Sequence, residues 1–145
     1  MENAPDFVAL ARDAFKEDGS VDIERGDILW SEAFKLPEWH FLMTPKSMAA
    51  KALSAQQIDG KVWYLAFTDA AKLRHYAERN KNLDDLGNAL FVTMKPMEAV
   101  ELAEDSLQLS VFGIRFNEGQ PHGWFAPMEN LTRFPEYLRG KSLII

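Results

Sequence analysis

The sequence predicts an α/β (α+β) domain: a mixed, mostly antiparallel sheet of about five strands, with βα units and helices packed on it. Three observations carry that expectation. Val62–Phe67 is an unbroken apolar and aromatic run, with no polar alternation, so both of its faces are expected to be covered. A helical pattern from Ala70 to Asn80 follows it at once. Ala89–Met94, with a helix opening at Pro96, repeats that order, which favours neighbouring strands joined by right-handed crossovers.

A chain of 145 residues is one domain by size and can bury roughly 70% of its unfolded surface. We divide 1–145 into a helical segment over 1–36 and a core over 37–135. In the first segment Asn3 is expected to cap a helix with Pro5 in its first turn and Asp6 at its third position. Phe7, Leu10, Ala11, Ala14 and Phe15 form its apolar stripe, and Asp18-Gly19 ends it. That stripe suits docking on the domain, or a partner. Ile23, Asp27, Trp30 and Phe34 align on one face of a second helix, which Gly26 weakens and Pro37 closes.

Trp39–Thr44 reads as a strand, and Pro45–Leu53 as either a helix or a connection. Asp59-Gly60 is a hairpin signal, since both central residues of that turn need positive φ; it pairs a strand near Ser54–Ile58 with Lys61–Phe67. Thr68 offers a capping hydroxyl and Asp69 negative charge to the next helix, whose inward face is Ala70, Leu73 and Ala77 with Tyr76 at its edge. Leu83–Gly87 is a turn, and Ala89–Met94 is expected to be a second buried strand. The helix from Pro96 turns Met97, Val100 and Leu102 inward. Leu107–Phe116 is a further strand region, Asn117–Pro121 is turn chemistry, and Gly123–Ala126 returns as a short strand. Leu131, Phe134, Tyr137 and Leu138 make a terminal short helix or pair of turns.

Charge and composition narrow the function. With a net charge of −6 and its 16 basic residues scattered, the chain is not expected to bind nucleic acid or to carry a polybasic membrane anchor. The absence of cysteine removes disulfides and thiolate chemistry and fits a reducing cytoplasm. The acidic start does not resemble a secretory signal, and no apolar run reaches the ~18 residues a membrane helix needs. Asn130-Leu131-Thr132 is then a chance match to a glycosylation sequon.

Searches for chemistry return no catalytic residues, no metal site and no cofactor. His40, His75 and His122 are far apart in sequence and lack a two-histidine helical spacing. There is no G-x-S-x-G elbow, S-x-x-K, Walker loop or G-x-G-x-x-G. Carboxylate pairs such as Asp84-Asp85, or Glu101 with Glu104 and Asp105, fall on a turn and on a helix back, where they are expected to be solvated, whereas acid–base work needs a carboxyl in an apolar pocket.

The most distinctive cluster runs from Arg115 to Phe125. Within it Arg115, Asn117, Gly119, His122 and Trp124 are the candidate binding residues, because arginine and tryptophan are common binding anchors. The plainer reading makes Phe116 and Trp124 core residues on adjacent strands, with Asn117 and Gly119 forming the turn.

Taken together, these pieces resemble the amino-terminal domain of the SseB family. The resemblance rests on the Asp59-Gly60 turn, the strand ending Phe67-Thr68 and its helix, the second βα unit, and the strand ending Ile114-Arg115-Phe116-Asn117 before Gly119. It covers 37–133; Glu118 stands where that family usually has proline. The resemblance implies a cytoplasmic α/β domain without established catalytic residues, regarded as a binding or regulatory module. The expected function is a non-enzymatic interaction module with an unidentified protein partner or a homodimer partner. The alternative is a small-ligand protein or enzyme with a cleft near Phe67–Asp69, Met94–Lys95 and Asn117–Gly119, since open α/β sheets bind ligands beyond the carboxyl ends of their strands.

Overall fold

A two-residue hairpin turn needs left-handed backbone, and Asp59 (φ 52°) and Gly60 (φ 78°) supply it. The strands that this turn joins lie within a sheet of six. The computed structural model describes residues 5–145. In chain order they form α1 (Phe7–Ala14), α2 (Ile23–Phe34), β1 (Trp39–Met43), α3 (Pro45–Ala50), β2 (Ala55–Ile58) and β3 (Lys61–Phe67). Then come α4 (Ala70–Arg79), β4 (Leu90–Met94), α5 (Pro96–Asp105), β5 (Gly113–Phe116), β6 (Trp124–Pro127) and α6 (Met128–Gly140).

The sheet order is β4-β1-β3-β5-β6, with β2 also paired to β3. β3 is long enough to serve two strands on one side: Lys61–Tyr64 pair with β2, and Ala66 and Phe67 with β1. On its other side lies β5, in the one parallel pairing of strands among the described residues; the other strand pairings there are antiparallel. This is the mixed, mostly antiparallel sheet expected.

Side chains alternate across the sheet. Trp39, Phe41, Tyr64, Ala66, Ile114, Phe116, Trp124 and Ala126 share one face, packed with buried residues of α1, α2, α5 and α6. Trp63, Leu65, Phe67 and Leu42 share the other, where Leu73, Tyr76 and Ala77 of α4 meet them. Residues 63–67 are therefore buried without a break, and each large side chain so buried contributes about 1.5–3 kcal/mol. Trp30 is the hinge of the larger core: its ring stacks on Phe134 at 4.5 Å and meets Phe116 edge-on at 5.4 Å.

Several local expectations are corrected. Asn3 lies outside the described residues; α1 is capped by Asp6, whose carboxylate accepts from the Ala9 amide at 3.1 Å. On α2 the buried face is Gly26, Leu29, Trp30 and Ala33, while Ile23 stands exposed. Thr68 does not cap α4; Asp69 does, accepting from the Lys72 amide at 2.8 Å. Pro45–Ala50 is helical because Thr44 and Ser47 cap each other's backbone amides. On α5 Val100 is buried as expected, with Ala99 and Ala103 beside it, but Met97 faces water.

The largest correction concerns β4. Read as buried, it is the outer strand of the sheet, with Phe91, Val92 and Thr93 exposed. Nor do the two βα units set their strands side by side, because β1 lies between β3 and β4, antiparallel to both. The alternation of strand and helix fixes direction, but the order of strands depends on pairings distant in sequence.

Candidate interaction site

β5 and β6 pair so that Arg115 opposes Phe125 and Phe116 opposes Trp124. The two-residue period sends the second pair into the core and the first to the face carrying α4. On that face β3 contributes Trp63, whose indole N–H donates to the Ile58 carbonyl at 3.1 Å. Phe112, just before β5, is tied in by its amide, which donates to the Val62 carbonyl at 2.8 Å.

These residues build a cation–aromatic cluster. Phe112 and Phe125 both meet Trp63 edge-on, at 5.0 and 5.2 Å between ring centroids. The Arg115 guanidinium lies 5.1 Å from the Trp63 ring and 5.9 Å from that of Phe125, and Lys61 Nζ sits 4.0 Å above Phe112. Each such contact is worth about 0.5–2 kcal/mol, more where water is excluded. Two carboxylates hold the arginine: Glu118 Oε2 at 2.8 Å from Nε, and Asp59 Oδ2 at 3.6 Å from Nη1. The hairpin turn thus reaches across to the far side of the site.

Trp63 and most of Arg115 are buried, whereas Phe125 is 52% exposed and Phe112 36%. The outcome is an aromatic surface around a fixed, internally neutralised guanidinium. Its paired charges suit recognition of a polar and apolar protein surface better than capture of a bare anion.

Asn117, Gly119, His122 and Trp124 have other places. Asn117 is fully buried with φ 55°, a left-handed conformation that asparagine tolerates. Its Oδ1 accepts the Thr68 amide at 2.9 Å, and its Nδ2 donates to the Thr68 hydroxyl at 3.1 Å. It therefore clamps together the carboxyl ends of the parallel pair β3 and β5. Gly119 (φ 90°) passes over the Tyr76 ring. Burial first, and the nearby Glu118 carboxylate second, hold the Tyr76 hydroxyl above its ordinary pKa. His122 is half-buried in the loop before β6. Trp124 is core, stacked on Phe116 at 5.2 Å, and its indole nitrogen is buried without a partner among the described residues.

Arg115 alone of the five candidates joins the exposed cluster. Sequence reasoning missed Trp63, Phe112 and Lys61 as its companions. Strand parity signals Phe125, since a residue beside buried Trp124 must face the other way. Trp63 and Phe112 come from distant segments, and only the β3–β5 pairing reveals them.

The three segments proposed to flank a cleft do lie at one end of the sheet, because β3, β4 and β5 run the same way. Several of their polar groups are already engaged. Asn117 takes the Thr68 amide, Asp69 caps α4, and the Lys95 amide donates to Glu98 at 2.8 Å. A cavity of about 230 Å³ is lined by four of the five candidates, Arg115, Asn117, Gly119 and Trp124, together with Phe125, and draws no wall from Phe67–Asp69 or Met94–Lys95.

Among the described residues no group of three or more histidines and carboxylates is placed to hold a metal ion, and no helix is long and apolar enough to cross a membrane. Neither a protein-family model nor a curated protein sequence matches the chain.

Proposed function

We propose that this chain is a non-enzymatic protein-interaction or regulatory module of SseB-like type, working in the cytoplasm and engaging a protein through the face formed by Phe112, Arg115 and Phe125. The observation that carries this reading is Phe125, half exposed beside a guanidinium that Trp63 and two carboxylates hold in place. A fixed arginine flanked by exposed aromatics loses little side-chain freedom on docking, which is what binding hot spots require. A cleft at the strand ends has less to rest on, because the Asn117 side chain occupies the crevice between β3 and β5.

The reading is tested with a photo-crosslinking residue placed at Phe125, and as control at Arg79 on the outer side of α4, in the native cells. We expect one dominant protein adduct from position 125 that is lost when Phe112→Ala is added. An adduct pattern equal to that of the Arg79 control contradicts it.

A further inference from the structure

The sheet has three open edges, and two of them are guarded. β6 is four residues long and closes on Pro127, which has no amide to offer. β2 is equally short and presents Gln56 and Gln57. β4 lacks such protection along Leu90–Met94; Leu83 bridges only to Ala89, one residue before it. Leu90–Met94 contains no charge and no proline, and pairs with β1 over all five residues without a bulge. Phe91 and Val92 on it are 37% and 38% exposed. An apolar groove of about 570 Å³ runs alongside, bounded by Met43, Met48, Leu53 and Val92. An uncharged edge of this kind, free of proline and of bulges, is a template for another strand.

Charge identifies the strand that fits. The amino end of β4 emerges from an acidic turn in which Asp84 is spent on the Leu86 and Asn88 amides, while Asp85 stands exposed. The carboxyl end runs directly into Lys95, also exposed and, like Asp85, without an ion pair among the described residues. A strand acidic at one end and basic at the other complements itself when reversed. We propose that β4 pairs antiparallel with β4 of a second copy of this chain, with the two-fold axis at Val92. Phe91 then opposes Thr93 of the second copy, and Leu90 opposes its Met94. Lys95, one residue beyond the paired stretch, then ends beside the Leu83–Ala89 bridge that closes the second copy's acidic turn. The pairing satisfies the free edge amides of both chains and joins the two apolar grooves on one face.

This deepens the interaction-module reading and rests on it, but uses a surface separate from the Arg115 face, so the two fail separately. The chain contains no cysteine, which makes a single introduced thiol diagnostic. At the axis, facing side chains have Cβ atoms about 4.5–5.5 Å apart, close to disulfide reach. One residue off the axis, like positions are offset by about 6.8 Å along the strand as well, beyond that reach. We expect light scattering to give twice the 16.5 kDa of one chain. Val92→Cys should crosslink on mild oxidation, and Phe91→Cys and Thr93→Cys should not. Val92→Lys should give a folded monomer that still yields the Phe125 adduct. A monomer at every concentration, or equal crosslinking at all three positions, overturns the pairing; loss of the Phe125 adduct with the dimer intact would instead remove only the Arg115-face reading.

Discussion

β3 and β4 look alike as sequence: each is an apolar run that opens directly into a helix. Their fates differ. β3 has strands on both sides and helices over both faces, so Trp63 to Phe67 are buried in succession. β4 has β1 on one side only, and Phe91, Val92 and Thr93 face water. An apolar run shows that a segment is suited to leaving water. It does not say whether the cover comes from the same chain or from another one.

The sharpest way to break the comparison is truncation at equivalent aromatics. Phe67 is fully buried and Phe91 more than a third exposed. In urea unfolding at low protein concentration we expect Phe67→Ala to cost about 3–5 kcal/mol and Phe91→Ala less than about 1 kcal/mol. Equal losses would mean that β4 is as deeply embedded as β3.

The next effect concerns what holds the end of β3. Asn117→Ala deprives the buried Thr68 amide of its acceptor and puts alanine at φ 55°, so we expect a loss of about 1–3 kcal/mol by the same assay. Asn117→Gly, which relaxes the backbone but restores no hydrogen bond, should recover only part of it.

The smallest effect is electrostatic. Burial alone would raise the Asp69 carboxyl, but hydrogen bonds from the Lys72 side chain and amide outweigh it and hold the pKa below the ordinary 3.8. The folded chain therefore binds this proton less readily than the unfolded one. The cap's contribution is complete above the unfolded pKa and fades as pH falls through the folded value. Asp69→Asn keeps a capping oxygen but loses the charged contact with Lys72, so it should lower neutral stability by at most about 1 kcal/mol and flatten the acid limb of a stability–pH curve below about pH 4.

What could be read in advance follows from range. The Asp59-Gly60 hairpin and the stripe of α1 are local, so residues a few positions apart were enough to predict them. The role of Asn117 was not legible, since its partner Thr68 is 49 residues away and nothing nearby distinguishes a clamp from a turn former. The position of β4 escaped for the same reason: its neighbour β1 lies far back in the chain, and the pattern on a strand is silent about which strand it joins. Of the candidate site, Arg115 was legible beside Phe125, while Trp63 and Phe112 required the parallel β3–β5 register.

Hydrogen–deuterium exchange at low and high protein concentration tests the edge pairing most directly. We expect amides within Leu90–Met94 to slow as concentration rises, while those of Trp63–Phe67 exchange slowly at both. Identical exchange of the β4 amides at the two concentrations would contradict the second copy as the cover of that edge.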